Sequence, residues 1–432
     1  MSTQESYSAR IARYAEHDKF YDNTVYGNIA IVKVGKVRKV TRNSYVTSHH
    51  LYTLISSVFN PIKRLVDFWA AHVMPGKLPK ALPLLGPDGE EDIAEPMTKA
   101  IRQIWKWSKW QKNKSLYAHD GALYGDVGLY VQASDEKVKI DVLHPGDVIA
   151  ANWVNDELVF AKLEWPAYNF DEEGVRTYYV YSEIITPESF TTFKDGLPFA
   201  YEGNPSATWK NGYEFVPIAL VQHLDIGSEW GTNCWSISED KVNRMNNIAS
   251  YIQTLVYKHA EPIFVSYGTT KGSFVKGDRI WHHPDVKGKV EALVPDVDFE
   301  KLQGVLNDIT GELEKDFPEL TWHILRTKNE LSGKAVKYLL GDVISKVQTA
   351  RDNYDEGLVT AQTMALRMGT MHHLEGFSFA EELAEHTIGE RPVLGETDDV
   401  EQLIEAELMQ EAKMAGSTPK EITKSHAGVE ER

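Results

Sequence analysis

Residues 297–320 read VDFEKLQGVLNDITGELEKDFPEL. Phe299, Leu302, Leu306, Ile309 and Leu313 recur at spacings of 3, 4, 3 and 4, which puts them in one stripe along a helix. So regular a stripe calls for a long packing partner. Asp296 or Asp298 supplies the N-cap, and Phe317-Pro318 ends the helix.

Upstream, Ser236 or Ser238 opens a helix reaching about Lys258, with Met245, Ile248, Ala249, Ile252, Leu255 and Val256 on one side. Its other side, Asn243, Asn246, Asn247, Ser250 and Gln253, is polar yet uncharged. That suits a face packed on a symmetry copy or lining a pore. Pro262 stops this helix, and strand-like pieces at 263–267, 279–282 and 289–294 lie among glycines before the next one. A helix–strands–helix unit of this kind cannot bury its stripes alone, but repetition around a ring would cover them.

Downstream, a linker spans 319–331, and Ser332 caps a very long helix to about Met368. Its stripe begins Ala335, Val336, Leu339, Leu340, Val343 and Ile344, and Gly341 and Gly357 are expected soft points. An acidic helix is expected over 398–414, then Ser417-Thr418-Pro419 and a short helix from Lys420.

The N-terminal half reads differently. Positions 51–73 are helical by period, with a break and restart at Asn60-Pro61 and a stop at Pro75-Gly76. A second helix is expected over 93–119; it carries Trp105, Trp107 and Trp110 among Lys106, Lys109, Lys112 and Lys114. Aromatic and basic residues interleaved in this way either stack on nucleic acid or pack an amphipathic helix. Trp105 and Trp107, two apart, cannot share a helix face, which favours packing. From Asp126 to about Trp230 an antiparallel meander is expected, with strands at 127–131, 138–142, 158–163 and 176–181. Turns separate them at Ser134-Asp135, Pro145-Gly146, Asn155-Asp156 and Glu173-Gly174, and Asp195-Gly196 and Asn211-Gly212 add two more. The basic stretch 33–39 reads as an arm or an edge strand.

Over its 432 residues the chain is 42% hydrophobic and 25% charged, a globular composition that leaves room for two to four domains. No apolar run is long enough for a membrane span, and the first thirty residues lack the apolar centre of a signal peptide. A single cysteine, Cys234, excludes an internal disulfide and fits synthesis in a reducing, intracellular place. The net charge of −17 argues against tight gripping of nucleic acid but not against a conduit through which DNA slides. From Gly376 onward 14 acidic residues face 5 basic ones, a net −9.

In this order the elements resemble a tailed-bacteriophage portal protein of the siphophage type. The similarity runs from about Leu51 to the end. It is carried by the helix before Pro75-Gly76, the step Leu123-Tyr124-Gly125-Asp126 into strands, and the segments LHPGDVI (143–149) and FVPIAL (215–220). The helix with Arg244, Asn246 and Asn247, the motif LSGKAVK (331–337) and the ending MAGSTPKE (414–421) complete it. The resemblance implies an α+β portal fold: an α/β wing, a helical stem, a small α/β clip, a long wing helix and a helical crown.

In residues, the wing would be 1–232, the stem helices 233–260 and 297–316 with the clip 261–296 between them, the tunnel loop 317–331, the long wing helix 332–375 and the crown 376–432. The implied function is a homo-oligomeric ring, usually dodecameric, at one capsid vertex, serving double-stranded DNA packaging and ejection. Implied partners are the terminase large subunit, a head-completion adaptor, and the major capsid and scaffolding proteins, with no cofactor and no membrane. Met245, Ile248, Ile252 and Leu255 would pack in the stem against the stripe of 299–313. Arg326, Lys328 and Asn329 are the candidates to touch DNA phosphates at the constriction. The competing readings are another oligomeric virion component, such as a head-completion or baseplate part, and an enzyme with an unrecognised site.

Catalytic motifs do not stand out. GTTKGS at 268–273 lacks the spacing of a P-loop, no Gly-x-Ser-x-Gly elbow occurs, and the pairs His49-His50, His282-His283 and His372-His373 lack a third ligand at helical spacing.

Overall fold

The computed structural model describes residues 5–22, 24, 30–34, 37–41, 59–89, 91–170, 174–200, 205–260, 263–267, 280–283, 289–293, 298–321, 333–378 and 385–391. The architecture is mixed α+β and divides into two compact units, one of residues 1–18, 63–236 and 318–432, the other of 19–62 and 237–317.

In the first unit, α1 (Tyr7–Tyr21) places Arg10, Tyr14 and His17 on one buried face. This helix was not expected. α2 (Ile62–His72) starts where Asn60 was expected to restart it, with the Asn60 Oδ1 accepting from the Ile62 N–H at 2.9 Å. The helix expected over 93–119 is two helices, α3 (Glu95–Trp107) and α4 (Trp110–Tyr124). They part because Lys109 takes φ 52° and the Ser108 hydroxyl turns to its own surroundings. That hydroxyl donates to the Ile104 carbonyl at 2.7 Å and accepts the Ile140 N–H at 2.9 Å. The tryptophans pack: Trp105 and Trp110 are buried, and Trp107 stacks on Phe377 with centroids 5.7 Å apart.

The expected meander is two sheets. A three-stranded antiparallel sheet runs in the order β12 (Ile218–Gln222), β4 (Asp126–Ala133), β5 (Val138–Leu143). A six-stranded one contains β6 (Val148–Val154), β7 (Glu157–Phe170), β8 (Arg176–Ile185) and β9 (Ser189–Lys194), with the short β10 (Leu197–Pro198) and β11 (Thr208–Lys210) on β9. The turns fall where their residues demanded. Asn155 and Asp156 have φ 51° and 65°, and Asp195 and Gly196 have 51° and 77°, the left-handed pairs of tight hairpins. Leu143, Val148, Leu163, Ile185, Phe190 and Ile218 form a core across the two sheets.

The long helix α7 (Gly333–Met371, 39 residues) packs on β4 and β12, and past it β16 (Thr387–Ile388) pairs with β3 (Leu84–Leu85). Gly357 is not a soft point: the helix runs unbroken through it. A Cβ there would lie 2.0 Å from the Val221 Cγ2 and 2.9 Å from the Tyr117 hydroxyl, so glycine is required by close approach. Gly341 has open space around it.

In the second unit, α5 (Glu239–Ala260) and α6 (Phe299–Asp316) flank a three-stranded sheet. Its strands, β13 (Ile263–Tyr267), β14 (Ile280–His283) and β15 (Lys289–Leu293), lie within a residue of their expected places. β13 is central, parallel to β14 and antiparallel to β15. The basic stretch 33–39 lies in a hairpin of β1 (Ala30–Val34) and β2 (Val37–Thr41).

Gly357→Ala is expected to destabilise the fold by about 2–4 kcal/mol through overpacking, whereas Gly341→Ala should stabilise it by about 0.5–1 kcal/mol. Urea unfolding of the two variants beside the parent checks this. Asp126 gives a pH test. Its carboxylate accepts from the Tyr14 hydroxyl at 2.8 Å and the Gly231 N–H at 2.6 Å, yet burial raises its pKa to about 6. The folded carboxyl thus holds its proton more tightly than the unfolded one. Its contribution is full below about pH 4 and lost as pH rises through 6. Asp126→Asn removes this dependence, so the stability of parent minus variant should fall by about 2 kcal/mol between pH 4 and 7.5.

Candidate assembly surface and channel segment

The two helices expected to carry the apolar stripes are α5 and α6. They run antiparallel: the Lys241 ammonium, in the first turn of α5, pairs with Asp316 at the end of α6, and the Thr310 hydroxyl lies 3.6 Å from the Met245 sulfur. Asp298 is the N-cap of α6, its carboxylate accepting the Lys301 N–H at 3.1 Å.

Coverage of the two stripes is uneven. Met245, Leu255, Ile309 and Leu313 are buried. Ile248, Ile252, Phe299, Leu302 and Leu306 are only half-buried. Val256 and Val305 are 49% and 41% exposed, although both are large apolar residues on well-formed helices. Within the chain, Met245 and Leu255 of α5 and Ile309 and Leu313 of α6 are covered, and the rest of the two stripes is partly open.

The amide face of α5 needs correcting. Asn246 and Ser250 are buried within the chain and do not face a copy or a pore. The Asn246 amide donates to the Phe59 carbonyl at 3.0 Å and accepts the Phe59 N–H at 2.6 Å, so it stands in for a neighbouring strand at that backbone. A buried Asn without such a partner would cost too much to keep. Asn247 remains exposed.

The channel candidates Arg326, Lys328 and Asn329, the acidic stretch 398–414 and the stripe 51–58 lie outside the described residues. The expected loop 317–331 begins as a packed turn, since Phe317, Glu319 and Leu320 are buried and residues Pro318–Leu320 form a 3-10 turn. Residues 233–236, read as the start of the stem, belong to the first unit, where Asn233, Cys234 and Trp235 are buried. His372 accepts or donates to the Tyr213 hydroxyl at 2.8 Å, and among the described residues no group of three metal-ligating side chains occurs. No described helix is long and apolar enough to cross a membrane.

Sequence reasoning missed one surface. β7 and β8 extend beyond their sheet neighbours as a two-stranded ribbon, and Tyr168, Phe170 and Tyr178 are exposed on one face of it, with the Arg176 guanidinium 4.9 Å from the Tyr168 ring. The signal was present in the alternation Pro166, Tyr168, Phe170 and Arg176, Tyr178, Val180.

Comparison with known proteins yields structural likeness only. No protein-family model matches the chain, and no curated protein matches it. Among solved structures, a chain in the virion of a native gene transfer agent particle is 13% identical, with 83% of this chain and 86% of that one covered, at a TM-score of 0.43. The neck of an empty gene transfer agent particle, computed with C6 symmetry, gives 12% identity, 83% and 87% coverage and a TM-score of 0.42. The neck of a native particle, computed with C12 symmetry, gives 12%, 82% and 86%, and 0.41. At such scores the functional reading rests on this chain's own residues.

Asn246→Ala should cost about 1–3 kcal/mol because it leaves both Phe59 backbone groups unpaired, while Asn247→Ala should change stability by less than about 0.5 kcal/mol. Chemical denaturation of the two variants separates a structural amide from a surface one.

Proposed function

We propose that the chain is the portal subunit of a tailed-phage-type particle. In this reading copies form a closed ring around a channel for double-stranded DNA, the ring docks a packaging motor and later a head-completion protein, and the chain has no catalytic site. The observation that carries the reading is the half-covered stem. A pair of long antiparallel helices that leaves Val256 and Val305 exposed, and Leu302 and Leu306 only partly covered, is complete only when a copy is set beside it. The order of sequence motifs from 123–126 to 414–421 supports the same identity.

The charge balance fits. α6 carries Glu300, Asp308, Glu312, Glu314 and Asp316 against Lys301 and Lys315, and the whole chain is −17. Such a wall would repel phosphates and leave no counterion-release energy to arrest the duplex. The constriction, with Arg326, Lys328 and Asn329 as its phosphate contacts, remains part of the proposal.

Val256→Asp combined with Val305→Asp tests it. Both side chains are exposed in the single chain, so folding should be kept. In the ring each would bury a carboxylate in an apolar seam. The parent is expected to give ring particles with a central hole and an intact mass that is a whole multiple of the subunit. The variant should give folded monomer, with circular dichroism unchanged. Rings of unchanged mass from the variant would remove the stem from the interface, and a parent that stays monomeric at high concentration would overturn the portal reading.

A further inference from the structure

One surface is used neither by the fold nor by the stem. The end of α3, the start of α4 and the loop at residues 77–79 enclose an open groove of about 820 Å³. Five cations line it, Lys77, Arg102, Lys106, Lys109 and Lys112, with no carboxylate among its lining residues. All five are exposed, and none takes part in an ion pair of the described residues. Its accessible apolar surface is Leu78, Pro79 and the methylene stems of the cations, with Trp105 and Trp110 buried beneath. In a chain with a net charge of −17, five unpaired cations around an apolar trough are a local reversal.

The chain holds a complementary segment. Residues 396–411 carry Glu396, Asp398, Asp399, Glu401, Glu405, Glu407 and Glu411 and no lysine or arginine. Val400, Leu403, Ile404 and Leu408 fall between them at helical spacing. An acidic amphipathic segment of this kind matches a basic groove with an apolar surface in both sign and hydropathy.

The exit point of the tail puts the two within reach. Arg391, the last described residue, is anchored at both ends: its guanidinium pairs with Asp355 at 2.6 Å and donates to the Val73 carbonyl at 3.2 Å, while its own carbonyl accepts from Arg351 at 2.6 Å. Val73 lies four residues before Lys77 of the groove. The loop between is tied to α4, where the Gln111 side chain accepts the Leu78 N–H at 2.8 Å and the Lys114 ammonium donates to the Met74 carbonyl. Residues 392–395 span at most about 14 Å extended, which covers a gap that four residues already bridge.

We propose that the acidic segment 396–411 docks in this groove of its own chain, carboxylates on the cationic rim and apolar stripe on Leu78, Pro79 and the methylene stems of the lysines. Duplex DNA fits the groove less well. A phosphate backbone offers nothing to the apolar surface, and Trp105 and Trp110 are buried, so neither presents a ring face for a base. The proposal needs no ring; in the portal reading it seats the foot of the crown on the wing.

The test uses the full chain and a zero-length carbodiimide, which joins an amine to a carboxylate only in contact. In a mixture of isotopically light and heavy chains, links are expected between Lys106, Lys109 or Lys112 and residues 396–411, within chains of one isotope. Lys106→Glu with Lys109→Glu should reduce those links about tenfold, in line with the loss of several surface charge pairs. Adding Glu401→Lys and Glu405→Lys, which swaps the charges back into register, should restore links between the same positions. Absence of links in the parent overturns the proposal. Links only between light and heavy chains overturn it in favour of a second copy as occupant. Displacement of the links by a short duplex, with duplex retention lost in the Lys106→Glu, Lys109→Glu variant, overturns it in favour of DNA. Ring mass is read separately, so a monomeric parent with the expected links would sink the portal reading and leave this one standing.

Discussion

The first unit depends on how closely α7 can lie against its neighbours. Two glycines set that distance. At Gly357 the helix backbone meets Val221 of β12 and Tyr117 of α4, and at Gly121 the α4 backbone receives the Tyr354 side chain of α7 so closely that a Cβ would fall 2.0 Å from its hydroxyl. The contact is then locked by polar pairs that work only at this spacing. Tyr354 meets His223 at 2.9 Å, and Tyr117 donates to the Tyr354 carbonyl at 3.1 Å. His223 is fully buried, and burial lowers its pKa to about 3, so the ring stays neutral and accepts this role without a charge to solvate.

From that seat α7 reaches outward to close other elements. Arg351 donates to the His72 and Val73 carbonyls, which α2 leaves open at its C-terminus, and to Arg391 at the start of the tail. One guanidinium therefore ends a helix and fixes the direction in which the C-terminal segment leaves. Lys346 pairs with the buried Glu319 at 3.6 Å, which ties the segment after Phe317 to the same helix. A change in the seat of α7 would be felt at Glu319 and at Arg391, although neither touches Gly357.

What the sequence disclosed, and what it hid, follows from where each signal originates. Stripes of Leu, Ile and Val announced α5, α6 and α7, and Asn-Asp and Asp-Gly pairs announced hairpins, because those signals are local. α1 was missed because its buried face is Arg10, Tyr14 and His17. These residues count as polar until Asp126 accepts from Tyr14, the Val148 carbonyl accepts from Arg10, and Trp230 lies 3.4 Å under the guanidinium. The break at Ser108-Lys109 was hidden because its cause, the Ile140 N–H, is 32 residues away. Asn246 was misread for the same reason: its partner, Phe59, is 187 residues away. Burial of a polar group is a tertiary fact, and periodicity carries only the apolar half of the code. Of the candidate site, the stem stripe could be read from periodicity. The channel residues could not, because a loop has no period to reveal which side chain faces inward.

Charge is distributed here by task. Helix α6 is acidic, the sequence from 376 is more so, and five cations with no ion pair among the described residues line one groove between α3 and α4. In the portal reading, a ring that lets a polyanion slide gains from keeping lysines away from its path, and in the proposed docking a few lysines hold the chain's own acidic segment. Placing those lysines around an apolar surface makes the attraction selective. A carboxylate-rich helix satisfies rim and apolar surface together, whereas a phosphate backbone satisfies only the rim. In the proposed docking, selectivity against DNA comes from the mismatch of the groove's apolar surface, with no need for a repulsive charge.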